Sequence, residues 1–241
     1  MTPSPLEPLS PSHRLADRFR GTRGILLAVA GYLVLMLLLQ GLGGDFLVAD
    51  TLYALEGGRW ALQEHWLTRD WIHDGGKRVV LALWLLLALG TVGLGWHPRG
   101  RAVRRPLLVL LASVLASVGL VAAIKYGLPM DCPWSLERYG GTLPYTGLFE
   151  LRPAGFPHNA CFPAAHASAG FAWVALYPFL ARVAPRWRAW GLAAGLGLGG
   201  LFAAAQELRG AHFLSHDLSS LVLCLAVAVA FDRLFNGRRV A

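Results

Sequence analysis

"RRPLLVLLASVLASVGLVAAIKYG" occupies residues 104–127, and its reading decides the fold. Two arginines and a proline open it, Lys125 stands near its end, and no ionisable side chain lies between Arg105 and Lys125. A surface helix of a soluble domain would carry a charged stripe recurring with the helical period. Here the run 107–124 has none, and at 1.5 Å per residue it is long enough to cross a hydrocarbon core of ~30 Å. The stretch reads as a transmembrane helix.

Working outward, comparable runs fall at about 25–42, 79–96, 167–181, 190–205 and 217–235. The run at 190–205 includes "GLAAGLGLGG", whose small residues suit close helix packing in lipid. Residues 25–42 have the length of a signal sequence, but no small-residue cleavage site follows and five further spans do. The chain is 55% hydrophobic and 15% charged with a mean hydropathy of +0.48, too apolar for a soluble core to absorb. The expected fold is therefore all-α, a six-transmembrane-helix bundle forming a single domain over residues 24–241.

The net charge of +8 would suggest nucleic acid in a soluble protein, but its distribution argues topology instead. Arg14, Arg18, Arg20 and Arg23 precede the first span, and Arg99, Arg101, Arg104 and Arg105 separate the second from the third. Arg182, Arg186 and Arg188 separate the fourth from the fifth, and Arg238 and Arg239 follow the sixth. All four groups fall on one side of a six-span chain, which the positive-inside rule makes cytoplasmic, with both termini inside. No basic and aromatic run in a soluble segment suits nucleic acid, so none is expected as a partner. Residues 1–23 form a cytoplasmic tail whose start, "MTPSPLEPLSPS", is proline- and serine-rich and expected to be disordered.

Three segments then face outward, at about 43–77, 125–165 and 206–216. In the first, Trp60, Trp66 and Trp71 alternate with charges as in a helix lying among lipid headgroups, which makes His65 and His73 anchors rather than chemistry. The second, rich in Pro, Gly, Tyr and charge, is long for a loop without evident secondary structure and is expected to form an active-site loop. It contains Cys132 and Cys161, and on an oxidising face the two are expected to form a disulfide worth about 3 kcal/mol in the chain-entropy model.

Ionisable groups then gather at the outer ends of spans: Lys125, His166, and the cluster Arg209, His212, His216 and Asp217. Such groups are costly beside hydrocarbon and face a cavity or one another. Together they suit phosphoryl transfer, which needs cations around the phosphoryl oxygens, a nucleophile and an acid. Two imidazoles supply the latter pair, and Lys and Arg the cradle. The backbone N–H of Ala165, at the start of span four, adds a donor. In "RGAHFLSHD" His212 and His216 share a helical face, with His216 the first candidate to orient a nucleophilic His212 and Asp217 the second. The H-x3-H spacing also suits a metal, with His158 and Asp131 as candidates to complete it, but no obvious third ligand set stands in the outer segments, so no metal is expected.

These residues resemble the type 2 phosphatidic acid phosphatase superfamily, whose motifs are Lys-x6-Arg-Pro, Pro-Ser-Gly-His and Ser-Arg-x5-His-x3-Asp. "KYGLPMDCP" is similar to the first, with Lys125 and Pro133 in place and Cys132 where arginine is expected. "PAAH" is similar to the second, with His166 kept and Ala164 and Ala165 substituted. "AQELRGAHFLSH" is similar to the third, with His212 kept, Ala205 and Gln206 in place of Ser-Arg, and His216 in place of the aspartate. Arg209 or Arg138 would supply the lost cationic charge, with Arg152 a headgroup anchor. The resemblance implies that His212 attacks phosphorus to form a phosphohistidine and that His166 protonates the leaving group, with no cofactor. The implied enzyme is an inner-membrane phosphatase acting on a lipid phosphate or diphosphate at the periplasmic face, of the undecaprenyl diphosphate, phosphatidylglycerophosphate or lipid A type. A phosphotransferase using a lipid hydroxyl, and a catalytically dead lipid-binding protein, remain the alternatives.

Overall fold

Helices supply the regular structure of the computed structural model, which describes residues 22–94, 100–147, 150, 152, 155–157 and 159–236; no strand longer than an isolated bridge occurs among them. The expectations for the N-terminal tail, Arg99, His158, Arg238 and Arg239 lie outside the described residues. Five helical segments are long and apolar enough to cross a membrane: Arg23–Gly41, Leu67–Leu94, Ala102–Gly127, Pro185–Leu208 and Leu214–Phe235. Their principal helices are α1 (Thr22–Met36), α3 (Gly76–Leu94), α4 (Arg101–Gly127), α7 (Arg188–Leu208) and α8 (Leu214–Phe231), with a shorter α2 (Gly44–Leu55) after α1. Long side chains on α1 and α3 point outward, Leu27 at 70% and Leu89 at 70% exposure, which is unfavourable in water and ordinary against lipid tails.

Two expectations need correction. The second span begins near Leu67 rather than at residue 79, because the polar stretch up to Arg78 is helical and runs through a π-helical turn, Leu67–Gly75, into α3. The fourth expected span, 167–181, is helical but interrupted and is not among the five. It comprises α5 (Ala165–Phe171), a 3₁₀ turn (Ala172–Ala175) and α6 (Leu176–Val183). Pro178 has no N–H to reach the carbonyl of Val174, which accounts for the tightened turn before it.

That interrupted segment is the centre of the bundle. Ala167, Ala172, Trp173 and Val174 are all at most 3% exposed, and the segment packs on α4, α7 and α8. Its approach to α7 depends on glycine: a Cβ on Gly170 would lie 2.6 Å from the Cα of Gly199. Small residues thus replace side-chain interdigitation with backbone contact.

Over one end of the bundle lie the described residues of 128–164, folded around a second apolar cluster of Ala49, Trp60, Leu136, Tyr139 and Phe213. Cys132 and Cys161 are disulfide-bonded, with Cα atoms 5.4 Å apart. The buried Asp131 accepts two hydrogen bonds from Arg152, at 2.7 and 2.8 Å, and one from Asn159 at 2.6 Å. The segment is therefore pinned by covalent, ionic and apolar contacts above the ends of α4, α5 and α8.

Candidate active site

Beneath that segment is a cavity of about 450 Å³ with two chemically different parts. His73, Lys77, Lys125, His166, Gln206 and His212 form its polar end, and Ala165 lines it beside them. Val80, Leu81, Trp84, Val114, Leu115, Val118 and Ala169, from α3, α4 and α5, form an apolar slot. A polar head end continuous with a hydrocarbon slot matches an amphiphile in shape and chemistry.

Each polar group has a local reason for its place. Lys125 ends α4 in the last turn, so its long stem can lie along the helix while its ammonium reaches the cavity. His166 is the second residue of α5, and Ala164 before it is tied to α8: its N–H donates to the His216 carbonyl at 3.2 Å, and its carbonyl accepts from Ser220 Oγ at 2.9 Å. His166 is stacked on Phe202, centroids 4.3 Å apart, and lies 4.6 Å from the ring of His73. Its Nε2 is buried and has no hydrogen-bond partner among the described residues.

His212 stands in the turn between α7 and α8, made by Gly210 at φ +68°. A side chain there would meet the Trp60 ring as well as the strain of the left-handed region. The His212 ring is 5.8 Å from that of His216, and the Cys161 main chain lies against both imidazoles. The disulfide therefore sits behind the pair. Burial, reinforced by His216 and Lys125 nearby, holds His212 well below the ordinary imidazole value of 6.5, so the ring is neutral and nucleophilic near neutrality.

The orienting partner expected for His212 takes a different form. No hydrogen bond among the described residues joins His212 Nδ1 to His216 or Asp217. Asp217 is buried on α8 and faces Glu207 of α7 and Lys125 of α4, while His216 packs between Phe162 and Phe213. Glu207 was not legible as a site residue, because its partner lies across a helix pair and no local spacing connects them.

The expected replacement arginines are both engaged elsewhere. Arg138 is exposed and makes a bidentate ion pair with Asp50, at 2.8 and 2.5 Å, away from the cavity. An aspartate on α2, 88 residues distant, captures it before it can enter the site. Arg209 is buried, donates to the Gln63 carbonyl at 2.8 Å and to Gln206 Oε1 at 3.2 Å, and is not among the lining residues. Gln206, standing where the motif arginine is expected, presents an unpartnered Nε2 and lines the cavity in its stead. Arg152 is bound by Asp131, outside the lining residues. Two cavity residues were not expected there: His73, read from sequence as a headgroup anchor, and Lys77, whose signal was the glycine pair Gly75–Gly76 immediately before it. Among the described residues no three His, Cys, Asp or Glu side chains converge to hold a metal.

No match was found to a curated protein or to a solved structure. A family model described as PAP2 superfamily matches residues 106–239, more than half of the chain, running from the second turn of α4 past the end of α8. The protein belongs to the PAP2 superfamily, a superfamily of phosphatases.

Proposed function

We propose that this protein is an integral membrane lipid phosphatase that hydrolyses a phosphate or diphosphate ester at the periplasmic face through a phosphohistidine intermediate. The observation that carries the reading is the single cavity that holds His212, His166 and Lys125 at one end and an apolar slot at the other. A lipid phosphate lies with its chain in the slot and its phosphoryl group among the imidazoles. Lys125 and the Gln206 amide engage the phosphoryl oxygens, where charge builds during transfer. A nitrogen of the neutral His212 attacks phosphorus, forming the P–N bond as the bond to the lipid oxygen breaks, and His166, entering the step as imidazolium, gives its proton to that oxygen and becomes neutral. His166 next takes a proton from water, which attacks phosphorus and breaks the P–N bond, releasing inorganic phosphate and returning both histidines to their starting states.

Six spans with both termini in the cytoplasm complete this reading, with α5 and α6 as the fourth span shielded from lipid by its neighbours. The test is phosphate release by purified protein in detergent from undecaprenyl diphosphate, phosphatidylglycerophosphate and lipid A, with and without EDTA. Release by wild type from one of these, unchanged by EDTA and lost in His212→Ala, is the expected result. EDTA-sensitive release, or equal release by His212→Ala, overturns the mechanism.

A further inference from the structure

From the cavity and its surroundings we infer that Lys77 of α3, positioned with His73, is the phosphate-binding cation that takes over from the arginines missing from the superfamily's motifs. The inference rests on the phosphatase reading of the same cavity and adds a residue that lies outside the matched region, 106–239. Three observations carry it.

First, the lysines are the strong cations lining the cavity, and they come from different helices: Lys125 from α4 and Lys77 from α3. Lys125 stands near the end of α4, within electrostatic reach of the buried Asp217. Lys77 has no carboxylate partner among the described residues and stands within electrostatic reach of both His73 and His166. A phosphate dianion with Lys125 alone would lack balancing charge.

Second, the start of α3 is built against the catalytic histidine. A Cβ on Gly76 would lie 2.7 Å from the Phe202 ring, the ring on which His166 stacks. A side chain at this position would have to displace that buried ring, and His73, three residues earlier, stands 4.6 Å from His166. Lys77 follows directly in sequence. His73 Nδ1 is in turn hydrogen-bonded to Asp74 at 3.0 Å, which fixes the ring beside the cavity.

Third, the arginines within the motif region are otherwise held. Arg209 is anchored by Gln63 and Gln206, and Arg138 by Asp50. Lys77, in the first turn of α3, thus brings in from outside the matched region the charge that Cys132 and Gln206 no longer supply.

The test uses the full chain in detergent and reads binding separately from turnover. Inorganic phosphate binding is followed by ³¹P line broadening in wild type, Lys77→Met, Lys77→Arg and Arg78→Met. Undecaprenyl diphosphate, phosphatidylglycerophosphate and lipid A hydrolysis is measured alongside, and thermal unfolding confirms that each variant is folded. Met keeps the stem without the charge, and Arg78 is a neighbouring exposed cation that does not line the cavity. Lys77→Met is expected to weaken phosphate binding by about tenfold to a hundredfold, the range for losing a charged hydrogen bond, and to raise KM. Lys77→Arg should restore most of it, and Arg78→Met should match wild type. A folded Lys77→Met that binds phosphate as wild type does, or a wild type that binds none, overturns the inference. If wild type hydrolyses lipid phosphate while Lys77→Met is unaffected, the phosphatase reading stands and the role of Lys77 falls. Lys77-dependent phosphate binding without turnover of any substrate leaves the role of Lys77 standing and removes the phosphatase reading.

Discussion

Replacing Gly170 by alanine tests the seam on which the site is built. The added Cβ would lie 2.6 Å from both the Cα and the N of Gly199 and 2.8 Å from the Leu198 carbonyl carbon. Carbon atoms at ease stand ~3.5–4.0 Å apart, so the contact is short by about 1 Å. All three obstructing atoms are backbone and cannot rotate away, so α5 and α7 must separate. Overpacking of this kind costs about 1–3 kcal/mol. Alanine returns about 1 kcal/mol through its better helix propensity, leaving a net loss of up to about 2 kcal/mol. For a chain of this size that lowers Tm by up to about 8 °C. Gly197 and Gly200, on the same helix, have nothing within 4 Å of where a Cβ would stand, so alanine there should be neutral or stabilising by up to about 1 kcal/mol. Circular dichroism melts of the three variants in one detergent decide the matter. A Gly170→Ala protein that melts at or above wild type, or a Gly197→Ala protein that falls equally, would refute the backbone-contact reasoning.

Two further outcomes are expected. Arg152→Ala should destabilise by about 3–5 kcal/mol, because it leaves the carboxylate of Asp131, whose side chain is only 2% exposed, with the neutral Asn159 amide in place of a cation, whereas Arg138→Ala removes an exposed pair worth less than about 1 kcal/mol; comparative melts separate the two. His212, held below 6.5 by burial, should remain neutral as pH falls through 6.5, while the unfolded chain takes up a proton there. The native state then binds fewer protons than the unfolded one, so this residue makes stability fall as pH drops below 6.5. A ¹³C-histidine NMR titration with His212→Asn for assignment checks this, and a His212 signal half-titrated at 6.5 would contradict it.

The apolar spans were legible because lipid imposes a length and an absence of charge that a linear reading detects directly. The run at 107–124 sits inside α4, and those at 190–205 and 217–235 inside or largely on α7 and α8. What failed was charge as a marker of helix ends. Residues up to Arg78 read as outside the membrane, yet they belong to the same helical segment as α3, because polar side chains there can face a cavity. The central segment was located but its interruption at Ala172–Ala175 was not expected, since burial within protein rather than lipid relaxes the demand for an unbroken apolar helix. His166, His212 and Lys125 were readable from spacing at helix ends, and all three line one cavity. The missing cations were sought near the motifs, at Arg138 and Arg209, whereas Asp50 and Gln63 hold these two through contacts 88 and 146 residues apart in sequence. Separations of that size leave no local periodicity to read.

The central claim is that His212 carries the phosphoryl group, and the most direct measurement is to trap it there. Wild type, His212→Ala and His166→Ala are mixed with the ³²P-labelled lipid phosphate that wild type turns over and quenched in alkali, where a phosphoramidate survives. They are then digested for mass spectrometry. The account predicts label on the peptide containing His212 that is lost in acid, absent from His212→Ala, and persistent in His166→Ala once the intermediate forms, because the water-activating base is gone. Phosphate released by a wild type that never carries label, or label on any other residue, would contradict it.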